Sequence, residues 1–269
     1  MKLGLIGTNI TNSLSPAIHN AALNALGICG SYAILQTEPP ELSSRLTSCF
    51  NDGFDGLNIT APFKSDVLPL VESRSPLVDI ICSANTLVRG KNGWHAESTD
   101  GAGVAFALSK WSSNLPTGHA VILGNGGFAR AVAYELLTRG WKVSIYSRSQ
   151  KNKDWAAISS LFETNISFCN WNDRNKVTNN THLIVNASPI GSDTISTPLL
   201  LNLCFTSHVL YLDCLYNPRI TPLMSTFSKN GSRTQNGINI LLGQAAASFL
   251  MWTGIEFPDS IFQHWEVPV

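Results

Sequence analysis

Four apolar residues, Ala120, Val121, Ile122 and Leu123, run directly into Gly124-Asn125-Gly126-Gly127-Phe128-Ala129. A helical pattern covers 130–138, Gly140 stops it, and Val143, Ser144, Ile145 and Tyr146 read as a second buried strand. Strand, glycine turn, helix and strand in that order form a dinucleotide-binding βαβ unit. The glycines permit a tight turn and let the backbone approach a pyrophosphate, which sits at the positive amino terminus of the helix. This block alone commits the chain to an α/β fold with parallel strands and helices on the sheet faces. Further strand patterns follow at 183–186 and 209–213.

The first hundred residues alternate strand and helix signals as well. Residues 3–6 and 31–35 read as strands, and 16–26 as a helix with Pro16 in its first turn and Gly27 as its stop. A hairpin is expected from 85–89, a turn between Gly90 and Gly93, and 94–97. A helix at about 103–111 precedes the polar, Pro- and Gly-containing stretch 112–118, which reads as a domain boundary. A helix at about 240–252 carries Gln244. The expectation is two α/β domains, 1–112 with a mostly parallel sheet and 113–236 of Rossmann type, followed by a helical segment, 237–269.

Composition narrows the function classes. The 269 residues are 44% hydrophobic and 13% charged, with formal net charge zero and a pI near 7.0, which gives no basic field for nucleic acid or an anionic membrane. No apolar run approaches the roughly 20 residues that span a bilayer. Met1-Lys2-Leu3-Gly4-Leu5-Ile6-Gly7 is broken by glycine and reads as a first strand, not a signal peptide. The six cysteines, Cys29, Cys49, Cys82, Cys169, Cys204 and Cys214, form no close pair, so no metal site is expected. Reduced, mostly buried thiols in a cytoplasmic protein account for them, and the Asn-x-Ser/Thr sequons then carry no glycan.

The chemistry gathers around Asn58-Ile59-Thr60-Ala61-Pro62-Phe63-Lys64. Pro62 ends a short strand, so Asn58, Thr60 and Lys64 collect at its carboxyl end, where open α/β sheets bind ligands. A Lys held there can donate a proton to a carbonyl oxygen, and Ser98-Thr99-Asp100-Gly101 supplies a carboxylate to couple with it. Taken singly, Lys64 also fits a solvated charge and Asp100 a helix cap. After the second Rossmann strand comes Ser147-Arg148-Ser149, with Lys151 and Lys153 close behind and no acidic residue to accept from a ribose 2′-hydroxyl. A guanidinium there suits a 2′-phosphate, so NADP is the expected cofactor. Ser13 and Ser15, two apart, can turn both hydroxyls to one side, although Ser15 also fits a cap for the helix begun by Pro16.

The segments 12–20, 58–64, 83–86, 98–101 and 237–244, in this order and spacing, resemble the shikimate dehydrogenase family along nearly the whole chain. The resemblance implies NADP-dependent interconversion of 3-dehydroshikimate and shikimate, with Lys64 and Asp100 as the proton-transfer couple. It implies that Ser13, Ser15, Asn58, Thr60, Asn85, Tyr216 and Gln244 contact the substrate, and that the helical segment 237–269 returns to a substrate-binding first domain. By the same route Gly124, Asn125, Gly126, Gly127, Phe128, Ala129, Ser147, Arg148, Ser149, Ala187, Ser188, Cys214 and Gly237 line the cofactor site. The enzyme is expected as monomer or homodimer. A quinate/shikimate dehydrogenase with relaxed cofactor use and a non-catalytic NADP-binding sensor are the rivals. The chain departs from the family pattern at Ser147 (usually Asn), Ser98 (usually Asn) and Ser192 (usually Met). The histidines read as structural.

Overall fold

The computed structural model describes residues 1–112, 115–149, 153–177, 180–201 and 207–265, so Lys151, Asn179 and Cys204 lie outside the described residues. The chain divides into two compact units, Met1–Gly103 together with Leu241–Glu266, and Val104–Ile240. Both divisions fall inside helices rather than in loops.

The first unit is built in chain order from β1 (Lys2–Gly7), α1 (Ser15–Ala25), β2 (Ser31–Gln36), α2 (Leu42–Asn51), β3 (Gly56–Ile59), β4 (Ser73–Arg74), α3 (Pro76–Ile81), β5 (Thr86–Arg89) and β6 (Trp94–Glu97). Its sheet runs β2-β1-β3-β5-β6-β4. β1 pairs parallel with β2 and β3, whereas β5 pairs antiparallel with β3 and β6, so the expected hairpin is inserted into a parallel framework. Ile6, Leu57, Phe63, Val78, Leu87 and Trp94 form a core on one side of this sheet. His19 of α1 is 1% exposed and stacks on Tyr32 with ring centroids 4.4 Å apart and planes 6° apart. Trp252, Phe249 and Phe257 close the ring of aromatics around it. Burial there drives the imidazole pKa from 6.5 down to about 3, so the ring is a neutral core side chain.

The second unit contains β7 (His119–Leu123), β8 (Lys142–Ser147), β9 (Ile166–Asn170), β10 (Thr181–Asn186), β11 (Leu210–Asp213) and β12 (Thr234–Gln235). All its pairings are parallel, in the order β12-β11-β10-β7-β8-β9. Val121, Ile184, Tyr211 and Phe227 centre a core on this sheet. Strands buried on both faces explain why β7 and β10 read as continuous apolar runs.

Several boundaries differ from the sequence reading. The helix α4 (Asp100–Ser109) starts three residues before the expected Gly103, and α5 (Gly127–Thr138) starts within the glycine run rather than at Arg130. Glycine is a poor helix former, and only the packed context places it in a first turn. Beyond these come α6 (Ala156–Leu161), α7 (Pro222–Lys229), α8 (Ile238–Thr253) and a further helix α9 (Asp259–Trp265). The thiols are less buried than expected: Cys49 is buried, Cys29 is exposed, and Cys82, Cys169 and Cys214 are partly exposed. Among the described residues no helix is long and apolar enough to cross a membrane.

Candidate active site and cofactor cradle

β3 ends at Ile59, and the chain turns through Pro62 so that the Lys64 ammonium meets the first residue of α4. Lys64 Nζ donates to Asp100 Oδ2 at 2.6 Å and to Oδ1 at 2.9 Å. The carboxylate is fully buried, while the Lys side chain keeps 17% exposure. A lone buried carboxylate would be costly, and the ammonium together with a further donor compensates it. That donor is Asn85, whose Nδ2 lies 3.0 Å from Asp100 Oδ1. The same nitrogen lies 2.9 Å from Thr99 Oγ1 and 3.1 Å from Gln244 Oε1, which ties α8 to this cluster. Ala84 N–H donates to the Lys64 carbonyl at 2.8 Å, fixing the backbone that carries the ammonium.

Asn58 sits beside this group. Tyr32 donates its hydroxyl to Asn58 Oδ1 at 2.8 Å, and Asn58 Nδ2 donates to the Asn85 carbonyl at 3.0 Å and to Ser248 Oγ at 3.1 Å. Tyr32, Thr86, Thr99 and Ser248 are therefore structural members of the site that the sequence reading missed. No local signal marks them, because their contacts span up to 190 positions. The Thr60 backbone N–H extends β3 by donating to the Ile6 carbonyl at 2.9 Å. Ser13 and Ser15 present hydroxyls 3.2 Å apart, and Ser13 Oγ also accepts the Ser15 N–H at 3.2 Å. α1 starts at Ser15 with no side-chain cap, so Ser15 is a first-turn residue, not the cap. Ser98 is buried and its hydroxyl has no hydrogen-bond partner among the described residues.

In the second unit the expected cofactor residues gather at the carboxyl ends of the parallel strands. Gly124 leaves β7 with φ +124°, and a Cβ there would stand 2.7 Å from the Ala187 carbonyl oxygen. A Cβ on Gly237 would stand 2.1 Å from the Cys214 carbonyl oxygen. These close backbone approaches hold the turns after β7, β10, β11 and β12 against one another. Gly126 is the N-cap of α5, has no side-chain cap, and faces open space where a Cβ would project. Asn125 Nδ2 donates to Ser149 Oγ at 2.9 Å, and Ser147 donates to the Ser149 carbonyl, which shapes the turn carrying exposed Arg148. An uncapped helix start beside an open glycine, with a guanidinium on the next turn, fits a dinucleotide with an added phosphate. Phe128 and Ala129 lie within the first turn of α5, and Ala129 is fully buried.

Asp213, which sequence reading passed over, closes β11 as a buried anchor. It accepts from Asn186 Nδ2 at 3.0 Å, Leu215 N–H at 3.1 Å, Tyr211 Oη at 2.8 Å and Thr221 Oγ1 at 2.9 Å. Burial raises its pKa against the pull of those donors, and Tyr211 is pushed well up by its own burial and by the carboxylate. Asn186 Oδ1 in turn accepts from Ser188 N–H at 3.1 Å and Ser188 Oγ at 2.7 Å. Asp213 thereby fixes the loops bearing Ser188, Cys214 and Tyr216. Tyr216 belongs to this second unit, on the loop after β11. Ser192 is exposed and donates to the Pro189 carbonyl at 2.9 Å.

Residues 5–87 match the family model described as "Shikimate dehydrogenase substrate binding domain". The chain is 32% identical over 263 residues to "Shikimate dehydrogenase (NADP(+))" of Lactococcus lactis subsp. cremoris, covering 94% of this chain and 92% of that protein. A crystal structure of shikimate 5-dehydrogenase from Thermus thermophilus in complex with NADP(H) and shikimate aligns with TM-score 0.85 and 29% identity, covering 98% of this chain and 97% of the other. Quinate dehydrogenase from Corynebacterium glutamicum in complex with NAD aligns with TM-score 0.86 and 26% identity, covering 98% and 97%.

Proposed function

The chain belongs to the shikimate dehydrogenase family, and on that footing we propose that it catalyses the reversible, NADP-dependent interconversion of 3-dehydroshikimate and shikimate. One observation carries the reading most directly. The Lys64 ammonium is held on both oxygens of a buried carboxylate, at 2.6 and 2.9 Å, inside the unit that contains the matched substrate-binding segment. In the reductive direction Lys64 gives a proton to the ring carbonyl oxygen as it becomes a hydroxyl. In the oxidative direction the neutral amine removes that hydroxyl proton. Asp100 orients the amine and compensates its charge in both directions. The nicotinamide cofactor, when bound, would supply the hydride in its reduced form, NADPH, and accept it in its oxidised form, NADP+.

Ser13 and Ser15 hold the substrate carboxylate by paired hydroxyl donors, while Thr60 and Gln244 bind the remaining polar groups of the ring. Asn58 and Asn85 belong to the same site, with most of their amide groups engaged inside it. The first 112 residues are the substrate and catalytic domain, 113–236 the cofactor domain, and 237–269 a helical return. The division of the chain into two compact units supports a two-domain assignment, with the divisions at Val104 and Leu241 rather than at 113 and 237. The uncapped α5, Gly124, Gly126 and the Ser147-Arg148-Ser149 turn hold the pyrophosphate and 2′-phosphate, and Ala187, Ser188, Cys214 and Gly237 line the other end of the cofactor.

The experiment is the rise of NADPH absorbance when shikimate and NADP are supplied, repeated with quinate and with NAD. Shikimate with NADP is expected to dominate, because the carboxylate-bearing carbon of quinate carries an extra hydroxyl that needs a partner, a cost of roughly 1–3 kcal/mol. Quinate turnover within threefold of shikimate would overturn that preference. The likeness to a quinate dehydrogenase with NAD favours a second reading, a quinate/shikimate enzyme with relaxed cofactor use. Arg148→Ala separates the two. If Arg148 binds the 2′-phosphate, its loss lowers kcat/KM with NADP roughly 10- to 150-fold and leaves NAD little changed. A sensor without catalysis has no use for the Lys64–Asp100 couple, and absence of turnover would restore it.

A further inference from the structure

Beneath the Lys64–Asp100 couple lie three hydroxyls in mutual contact. Thr86 Oγ1 is 2.8 Å from Ser248 Oγ and 3.2 Å from Thr99 Oγ1, and Thr99 Oγ1 is 3.1 Å from Ser248 Oγ. Thr86 and Ser248 are fully buried and Thr99 is 1% exposed. The three residues come from β5, the turn before α4, and α8.

Each corner of this triangle touches an amide of the site. Ser248 Oγ and Thr86 Oγ1 accept from Asn58 Nδ2 at 3.1 and 3.3 Å, and Thr99 Oγ1 accepts from Asn85 Nδ2 at 2.9 Å. Hydrogen-bond logic then settles which way each amide faces. The Thr99 backbone N–H can only donate, and it donates to Asn85 Oδ1 at 2.7 Å. Asn85 Nδ2 must therefore face Thr99 Oγ1, Asp100 Oδ1 and Gln244 Oε1. With the Gln244 oxygen drawn to Asn85, its Nε2 is the end left to meet a ligand. For Asn58 the carbonyl of Asn85 can only accept, so Nδ2 points there and Oδ1 turns to the Tyr32 hydroxyl.

We propose that the Thr86–Thr99–Ser248 hydroxyl triangle is the positioning element that holds the Asn58 and Asn85 amides in the orientation their backbone partners select, keeping Gln244 as a donor and Asn58 as an acceptor toward the ring hydroxyls. This inference rests on the shikimate reading. Asn85 acts within it chiefly as a positioning residue, because its two N–H groups already face three acceptors. Ser248 Oγ also donates to the Gln244 carbonyl at 2.9 Å, and the Thr86 and Thr99 hydroxyls lie 3.3 and 3.2 Å from Asn85 Oδ1, so deleting one hydroxyl removes a contact that holds an amide in a dry site.

The test uses paired substitutions that separate hydroxyl from shape. Thr86→Val keeps the branched volume and deletes the hydroxyl, whereas Thr86→Ser keeps the hydroxyl and deletes a methyl. Full-length variants are compared by melting temperature, by titration calorimetry with shikimate and with NADP, and by the split of kcat and KM. The valine variant is expected to bind shikimate about 5- to 30-fold more weakly, with NADP affinity within twofold of wild type and the serine variant within threefold for both. Ser248→Ala, which deletes another corner without adding bulk, carries the same test if the valine variant does not fold, and is expected to weaken shikimate by a similar factor. Equal shikimate affinity in wild type and either deletion variant overturns the inference, as does equal loss in the Val and Ser variants. A wild-type chain that neither binds nor oxidises shikimate defeats the underlying reading, and the inference with it. A wild type that is active while the deletions are silent defeats the inference alone.

Discussion

The two units solve ligand binding with different materials. In the first, side chains hold side chains: Lys64, Asp100, Asn85 and Gln244 hydrogen-bond in sequence, and the strands serve to deliver them. In the second, backbone approaches backbone, at Gly124 against Ala187 and at Gly237 against Cys214. The first should be sensitive to the identity of a functional group even when shape is kept. The second should tolerate changes of group but not the addition of a single carbon at its glycines.

The largest effect expected from this contrast is at Lys64. Lys64→Ala should lower kcat about 10²–10⁴-fold while the chain folds and still binds shikimate, because a positioned acid or base acts in the transition state. Asp100→Asn should lose a similar amount, and the double variant little more, because the two act as a unit. A Lys64→Ala enzyme with more than about half the wild-type kcat would break the comparison at its strongest point.

Next comes the glycine turn. Gly124 has φ +124°, and an added Cβ would meet backbone rather than a movable side chain. Gly124→Ala should weaken NADP by roughly 5- to 150-fold, corresponding to about 1–3 kcal/mol of strain. Shikimate affinity should stay within twofold. Calorimetric titration of both ligands decides it, and an equal loss for both would show that the two binding sites are not built independently.

The smallest effects concern stability, where His19 and Asp213 contribute opposite pH slopes. Unfolded His19 takes up a proton below about 6.5, while the folded ring stays neutral down to about 3. The unfolded chain therefore binds more protons across that window, and stability falls with falling pH. At pH 5 the loss is about 2 kcal/mol. His19→Phe should flatten that part of the curve in denaturant titrations at pH 5 and pH 7, and an unchanged difference would remove His19 as its source. Asp213 runs the other way. Its pKa is raised from 3.8 by burial, so its contribution declines as pH rises through the folded value, and Asp213→Asn should abolish that decline.

What the sequence revealed tracks how local the cause is. The βαβ unit was legible because strand, turn and helix are adjacent, and the glycines state the turn chemistry directly. Lys64 and Asp100 were legible as a couple because each lies at a turn beside a strand end, and the resemblance strengthened a pairing across 36 positions that no periodicity joins. Tyr32, Ser248 and the hydroxyl triangle were illegible, because serine and threonine in a helix or strand carry no mark of a buried partner supplied from elsewhere in the chain. The start of α4 was misread because Gly101 and Gly103 depress helix propensity, whereas the helix is held by packing of Val104, Ala107 and Leu108. Cysteine burial was misjudged for the converse reason, that residue type gives an average and not a position.

The shortest strands have a consequence for assembly. β4 and β12 are two residues long, and each closes one margin of a six-stranded sheet. A two-residue margin offers too few unpaired amide and carbonyl groups to recruit a foreign strand. Runaway sheet growth, the route by which exposed margins seed fibrils, is thus blunted on one side of each sheet. The longer outer strands β2 and β9 are left as the margins where solubility must be protected by surface side chains.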